Sequence, residues 1–215
     1  MTAAADKVKV KNVLISCYDK TGLKYFATEL VKLNPEVRMY CSSGTYSELS
    51  KAVAAENLIE LSDYTGTKEM PSGLVKTLHT KIHAGILADL NDEQQKKYLE
   101  ESKAVAFDLV VVNLYPFTAA SKEGGIEKAR TNIDIGGVSL IEAAAKNFLR
   151  VVVVVSPVDY EELLELMRKN SAISIETRLQ LAKTALNYLS GYIANIDVYY
   201  GNLNSAAVKK EYKIE

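Results

Sequence analysis

Three short apolar runs, the last two dense in valine, constrain this chain more than any other feature: residues 13–17 (VLISC), 108–113 (DLVVVN) and 151–155 (VVVVV). Side chains branched at Cβ favour extended backbone and pack well on a pleated surface. Runs this short, apolar almost throughout, read as strands covered on both faces. They fall far below the roughly 20 residues that a helix needs to cross a bilayer. Between the strands the period changes. Leu23, Phe26, Ala27, Leu30 and Val31 recur at helical spacing until Asn34-Pro35 stops the pattern. A second strand is expected over 37–41, running into Ser42-Ser43-Gly44-Thr45 and another helix, and a short third over 58–61. Strands that alternate with helices imply right-handed crossovers, hence a mainly parallel α/β sheet with helices on both faces.

The length, 215 residues, suits one domain or a domain with an appendage. The expected division is an α/β nucleotide-binding unit over 1–156 and a helical C-terminal extension over 157–215. The extension reads as all-helical, with helices over 161–168 and from 175 to about 200. Leu179, Leu181, Ala182, Ala185, Leu186, Leu189, Tyr192 and Ile193 lie on or near one stripe of the longer helix. That stripe packs on the sheet domain or meets a second copy. Residues 62–90 carry turn residues, charge and both histidines, a composition that suits site-building loops. Twenty-six basic against 27 acidic residues leave a net charge of -1, so no global field draws nucleic acid or an acidic membrane. Any anion site must be local. Cys17 and Cys41 fall in strand-like runs and read as reduced thiols of a cytoplasmic protein. The opening MTAAADKVKV lacks the apolar stretch of a signal peptide.

Chemistry-bearing residues gather where strands end. Asp19-Lys20-Thr21-Gly22 follows the first strand. Free N–H groups at a helix start attract anions, and a lysine and a threonine add a charge and a donor, although a capped turn explains the same residues. Ser42, Ser43, Gly44 and Thr45 repeat the arrangement after the second strand. Two such turns point to one phosphate-bearing ligand bridging them. No Gly-Lys-Ser/Thr ending makes either a Walker loop. His79 and His83 are four apart, but no glutamate or third ligand completes a zinc motif, so no metal is expected. Asn113-Leu114-Tyr115-Pro116 closes the DLVVVN strand and presents a phenol. Asn132-Ile133-Asp134-Ile135-Gly136-Gly137 leads into an alanine-rich helix ending at Lys146. Two glycines there bring backbone N–H groups close to a ligand, and Asp134 can accept from a substrate amide.

Taken together and in this order, DKTGL, SSGT, EMPSGLVKTLHTKIHAGIL, DLVVVNLYPF, NIDIGG and AAAKN resemble the IMP cyclohydrolase domain at the N-terminus of the AICAR formyltransferase/IMP cyclohydrolase family. The resemblance implies a methylglyoxal-synthase-like fold and closure of the ring of 5-formamidoimidazole-4-carboxamide ribonucleotide to IMP and water, with no cofactor. It implies phosphate and ribose contacts from Asp19, Lys20, Ser42, Ser43, Gly44, Thr45, Lys76 and Thr77. It implies a reaction centre of Lys76, Asn113, Tyr115, Asp134 and Lys146, with Leu114, Ile135, Gly136 and Gly137 also lining the substrate. Lys146, after a tight alanine run, is expected to lie half-buried near the two glycines as the proton shuttle, with Lys76 or Tyr115 as alternatives. The family is dimeric, so a homodimer is expected, with no nucleic-acid or membrane partner. It usually continues into a formyltransferase domain, so the chain is expected to be a stand-alone cyclohydrolase or an excised domain.

Four positions depart from the family pattern. Leu74 and Glu142 stand where it has arginine, Phe148 where it has histidine, and Ser43 where it has glycine. Loss of two cations near an anion weakens its binding, by up to about 3 kcal/mol where a charged hydrogen bond is lost. A catalytically weak nucleotide-binding regulatory module of the same fold is therefore the alternative reading. Methylglyoxal synthase itself fits less well, because the NLYPF and NIDIGG segments belong to the cyclohydrolase pattern.

Overall fold

Each of the three apolar runs becomes a strand of one five-stranded parallel sheet. The computed structural model describes residues 6–71 and 75–214. The strands are β1 (Lys7–Val8), β2 (Asn12–Cys17), β3 (Arg38–Cys41), β4 (Leu58–Glu60), β5 (Leu109–Asn113), β6 (Val152–Val154) and β7 (Ile173–Ser174). The main sheet has the order β4-β3-β2-β5-β6, and every neighbouring pair is parallel. Period-two alternation splits the strands between two cores. Val13, Ile15, Met39, Leu109, Val111 and Val154 face one side, and Leu14, Tyr40, Val110, Val112 and Val153 the other. Each such side chain, fully buried, stabilises the fold by about 1.5–3 kcal/mol.

The first side is covered by α1 (Leu23–Leu33), α2 (Ser43–Leu49) and, later in the chain, α9 (Tyr160–Asn170). Phe26 and Tyr160 stack at 4.4 Å where α1 meets α9. The second side carries α3 (Leu61–Thr65), α4 (Thr80–Leu87), α8 (Ile135–Lys146) and α10 (Ile175–Gly201). Helices α5 (Glu93–Glu101), α6 (Phe117–Glu123), α7 (Gly125–Thr131) and α11 (Ser205–Tyr212) complete the chain. Among the described residues no helix is long and apolar enough to cross a membrane.

Two sequence expectations change here. The region beyond 157 is not wholly helical, because Ile173 and Ser174 pair antiparallel with Val8 and Lys7. A two-residue strand is too short to show alternation. The described residues of 62–90 are also not all loop. They contain most of α3 and all of α4, while Leu74 lies outside the described residues.

The order of the main sheet decides where a ligand can sit. The chain steps outward from β2 to β3 and β4, then crosses back to add β5 and β6 on the other side of β2. The carboxyl ends of β2 and β5, where Cys17 lies beside Asn113, therefore form a switch point with a crevice above it. Cys17 and Cys41 are free and buried below that crevice. Burial pushes the Cys17 thiol up to about 12 and raises Cys41 in the same way. A raised thiol stays neutral where an ordinary one, near pH 8.5, is half ionised. Iodoacetamide at pH 8.5 is expected to alkylate both at least about a hundredfold more slowly in the native protein than in urea. Mass spectrometry of the quenched mixture measures this, and equal rates would show that the two strands open readily.

Candidate active site

A cleft of about 320 Å³ fills the switch point. Its floor is the ends of β2, β3 and β5. Its roof is the segment Val75–Leu78, and its far wall is the start of α8.

The floor is wired by side chains. Asn113, 7% exposed, uses its amide in both directions: Oδ1 accepts from Asp19 N at 2.8 Å and Nδ2 donates to Asp19 O at 2.9 Å. This clamps the turn after β2 to the end of β5. Asp19 is itself exposed, and the Thr21 hydroxyl and backbone N–H lower its pKa. Gly22, left-handed with φ 68°, then starts α1, a conformation that glycine adopts without strain. Lys20, half-buried, reaches the cleft and donates to Tyr18 O.

The turn after β3 is built differently from the hydroxyl cradle expected of it. Ser16 donates to Ser42 at 3.2 Å, Ser42 donates to Thr45 at 3.2 Å, and Cys17 N also donates to Thr45 Oγ1. Ser42 and Thr45 are thus committed to joining β2 to α2. Thr45 accepts twice and keeps its own proton to give. The first-turn N–H groups of Ser43 and Gly44 have no carbonyl inside the helix. A Cβ on Gly44 would meet nothing within 4 Å. Ser43 Oγ points instead to Glu69 Oε2 at 2.8 Å.

The roof and wall carry the reactive groups. Lys76 Nζ donates to Tyr115 Oη at 3.2 Å and lies 3.7 Å from Glu69 Oε1. Burial works to lower its pKa, but Tyr115, Glu69 and Asp134 together outweigh it and hold the ammonium above the ordinary lysine value. Asp134 is the N-cap of α8, with Oδ1 accepting from Gly137 N at 2.7 Å. Burial raises its pKa, against the opposing pull of the Gly137 and Tyr115 N–H groups and of Lys76. Thr77, 2% exposed, rests directly on α8, and a Cβ on Gly136 would lie 2.3 Å from its Oγ1. Gly137 is equally confined, by Leu114 at 2.6 Å. Ile135, 60% exposed, stands at the mouth.

The comparisons with known proteins follow this geometry. Residues 22–139, more than half of the chain, match the family described as the MGS-like domain. The chain belongs to that family. Residues 144–215 of this MGS-like chain match the family described as the AICARFT/IMPCHase bienzyme. Curated relatives named bifunctional purine biosynthesis protein PurH include those of Ruminiclostridium cellulolyticum (39% identical over 192 residues, 88% of this chain and 37% of the relative) and Streptococcus mutans (41%, 88% and 36%). That of Neisseria meningitidis is 39% identical over 208 residues, 95% of this chain and 39% of the relative. The chain thus spans less than two-fifths of the length of these relatives. Among solved structures, the crystal structure of ForH matches with a TM-score of 0.74 and 29% identity, over 89% of this chain and 99% of that one.

Four expected site residues of the MGS-like chain do not line the cleft: Asp19, Ser43, Leu114 and Lys146. Lys146 is exposed at the last turn of α8, eleven residues beyond Ile135, which is about 16 Å along the axis. Proximity in sequence to the glycines does not survive the helical rise. Glu142 is likewise exposed and off the cleft lining, and Phe148 packs on the core. The histidines have structural partners. His79 Nδ1 accepts from Lys81 N as the cap of α4, and His83 faces Ser139. Among the described residues no cluster of three or more His, Cys, Asp or Glu side chains could hold a metal ion.

Sequence reasoning missed two tyrosines of α10. Tyr188 Oη accepts from Leu114 N at 3.1 Å, and Tyr192 Oη accepts from Asp134 N at 2.8 Å while donating to Asn132 O. The signal was their spacing. Two phenols four apart on an apolar stripe need polar partners once that stripe is buried. The glycine contacts give a contrasting pair of substitutions. Gly136→Ala is expected to cost about 1–3 kcal/mol through the clash with Thr77. Gly44→Ala, with open space around it, is expected to be neutral or slightly stabilising. Urea denaturation measures both, and equal effects would contradict the close approach of roof and wall.

Proposed function

We propose that this chain is an IMP cyclohydrolase, closing the ring of 5-formamidoimidazole-4-carboxamide ribonucleotide in purine biosynthesis. The observation that carries the reading is the gathering, in one switch-point cleft, of a desolvated carboxylate (Asp134) and a protonated lysine–phenol pair (Lys76 and Tyr115). The names of the PurH relatives and the bienzyme match over 144–215 support it.

In the proposed reaction the carboxamide nitrogen attacks the formyl carbon, losing a proton as the bond forms. Asp134 accepts from that amide, and its raised pKa makes it a better base than an exposed carboxylate. The formyl oxygen gains charge and faces the N–H groups at the start of α8, which are fixed before reaction and cost no reorganisation. Lys76, held protonated, supplies one proton to this oxygen through Tyr115 and Asp134 returns the proton it took as the second; the formamide nitrogen gives its own proton back to the lysine–phenol pair as the C=N bond forms and the oxygen departs as water. The ribonucleotide phosphate is taken by the turns at Lys20 and at Ser43–Thr45. Asn113, Thr77 and Ile135 shape the remainder of the cleft, with Leu114 packed behind Gly137. Both reacting groups belong to one molecule, so holding them in contact supplies much of the rate. Lys146 lies too far from these atoms within one chain to act as the shuttle.

The reading extends to three further points. The formyl group is added elsewhere, by a fused or separate AICAR formyltransferase. The protein works in the cytoplasm. It is a homodimer, which the exposed Leu186, Ile193 and Val198 of α10 support. Light scattering checks the last point, and a monomer mass at high concentration would reject it.

The decisive experiment incubates the protein with the formamido ribonucleotide and follows the absorbance of IMP. Asp134→Asn is expected to lower kcat by about a hundredfold or more with KM within a few-fold. Asp134 works ionised and its pKa is raised, so wild-type activity is expected to fall as pH drops, beginning above the range near 4 of an exposed carboxylate. Lys76 works protonated and is also raised, so the alkaline limb is expected above the ordinary lysine value. IMP binding without turnover would favour the regulatory module.

A further inference from the structure

Gly136 and Gly137 are bare because Thr77, Leu114 and Asp134 leave no room for a Cβ. Two successive glycines are also the most freely turning pair that a helix start can carry. Side-chain packing cannot fix the peptide between them, so its hydrogen bonds must. The N–H end is held by Asp134 Oδ1 at 2.7 Å. The carbonyl end is held by Ser139, whose Oγ donates to Gly136 O at 2.8 Å. A carbonyl only accepts, so the Ser139 proton is committed and its oxygen is left to accept. His83 Nε2 lies 3.3 Å from that oxygen. On the other side of the ring, His79 O already accepts from Ile82 N and His83 N. His83 Nδ1 also lies 3.3 Å from His79 O, and the tautomer that carries its proton on Nε2 donates to Ser139.

We infer that His83 and Ser139 are positioning residues of the cleft, bracing the Gly136–Gly137 peptide and through it the orientation of Asp134. In that tautomer every link runs the same way, from imidazole to hydroxyl to carbonyl, and from the N–H of the same peptide to carboxylate. Donation into one end of a peptide strengthens donation from the other. The brace is anchored to the core rather than to the roof. Arg150 donates to Gly85 O and Ile86 O, and Asn147 to Ile86 O, which fixes the end of α4 that follows His83. The inference rests on the proposed cyclisation only for the chemical role given to Asp134.

The test uses Ser139→Ala, Ser139→Thr, His83→Gln and the double variant Ser139→Ala/His83→Gln in the full chain. Two readouts are taken: titration of the Asp134 carboxyl by carbon NMR, assigned with Asp134→Asn, and steady-state cyclisation. The groups facing Asp134 are Lys76 from the roof, Tyr188 and Tyr192 from α10, and the N–H groups of Gly137 and Tyr115. None of these is substituted, so a moved titration reports the braced peptide. The Gly137 N–H stabilises the carboxylate, so a loosened peptide shifts the titration upward. Ser139→Ala is expected to show that shift and to lose about tenfold in kcat with KM within twofold. Ser139→Thr, which keeps the hydroxyl, is expected to restore both, and the double variant to be no worse than Ser139→Ala. An unmoved Asp134 titration in either Ser139→Ala or His83→Gln overturns the inference, as do additive losses in the double variant. A shifted titration in a protein that never forms IMP would leave the brace standing and reject the cyclohydrolase reading instead.

Discussion

A single buried guanidinium sets the longest helix. Arg178, 0% exposed in the first turn of α10, donates to the carbonyls of Asp6, Phe148, Leu149 and Ile173. It thereby ties the residue just before β1, the connection between α8 and β6, and β7 to one point. Burying a charge this completely is costly unless its donors are satisfied, and a planar fork with five N–H groups suits several carbonyls at once. The contact also fixes the rotation of α10 about its axis. Ten and fourteen residues on, about 15 and 21 Å along the helix, Tyr188 and Tyr192 meet the backbone of Leu114 and Asp134. Helix α10 is therefore the outer support of two walls of the cleft.

The cleft achieves locally what the net charge cannot achieve globally. Lys20, Lys76 and first-turn N–H groups give the cleft a positive end, and Lys76 also faces Asp134, a carboxylate whose ionisation burial disfavours. Glu69 bridges the roof to the Ser43 turn, so the positive end is balanced inside the protein itself. Such an arrangement keeps charged groups close without a large external field, which accords with 26 basic and 27 acidic residues in the chain.

The parallel sheet was legible because valine runs have few alternatives, and its strands fall within a residue or so of the expected limits. The site turns were legible for a related reason: hydroxyls and glycines directly after a strand have little to do in a core. What failed was inference along the chain without its geometry. Lys146 looked near Gly137 in sequence, yet α8 carries it to the opposite end. Ser42 looked free to hold an anion, yet its hydroxyl proton goes to Thr45. Tyr188 and Tyr192 lay on an apolar stripe, where a phenol reads as packing until its partner is known. In the last case the missing information was a contact between elements far apart in sequence.

That separation bears on how the chain assembles. β2 pairs with β3 after one short helix, but its other neighbour is β5, with Val13 beside Leu109. β1 waits longer still, for Ile173 and Ser174. Closing such long loops costs entropy before any contact repays it, so these pairings form late and slowly. During synthesis the edge of β2 that β5 will cover emerges first and stays open until more than 90 further residues have followed. Its hydrophobic Val13, Leu14 and Ile15 are an association hazard in that interval. The crevice at the switch point is thus a kinetic seam as well as a binding site, because its two floors meet only when the last central strand docks.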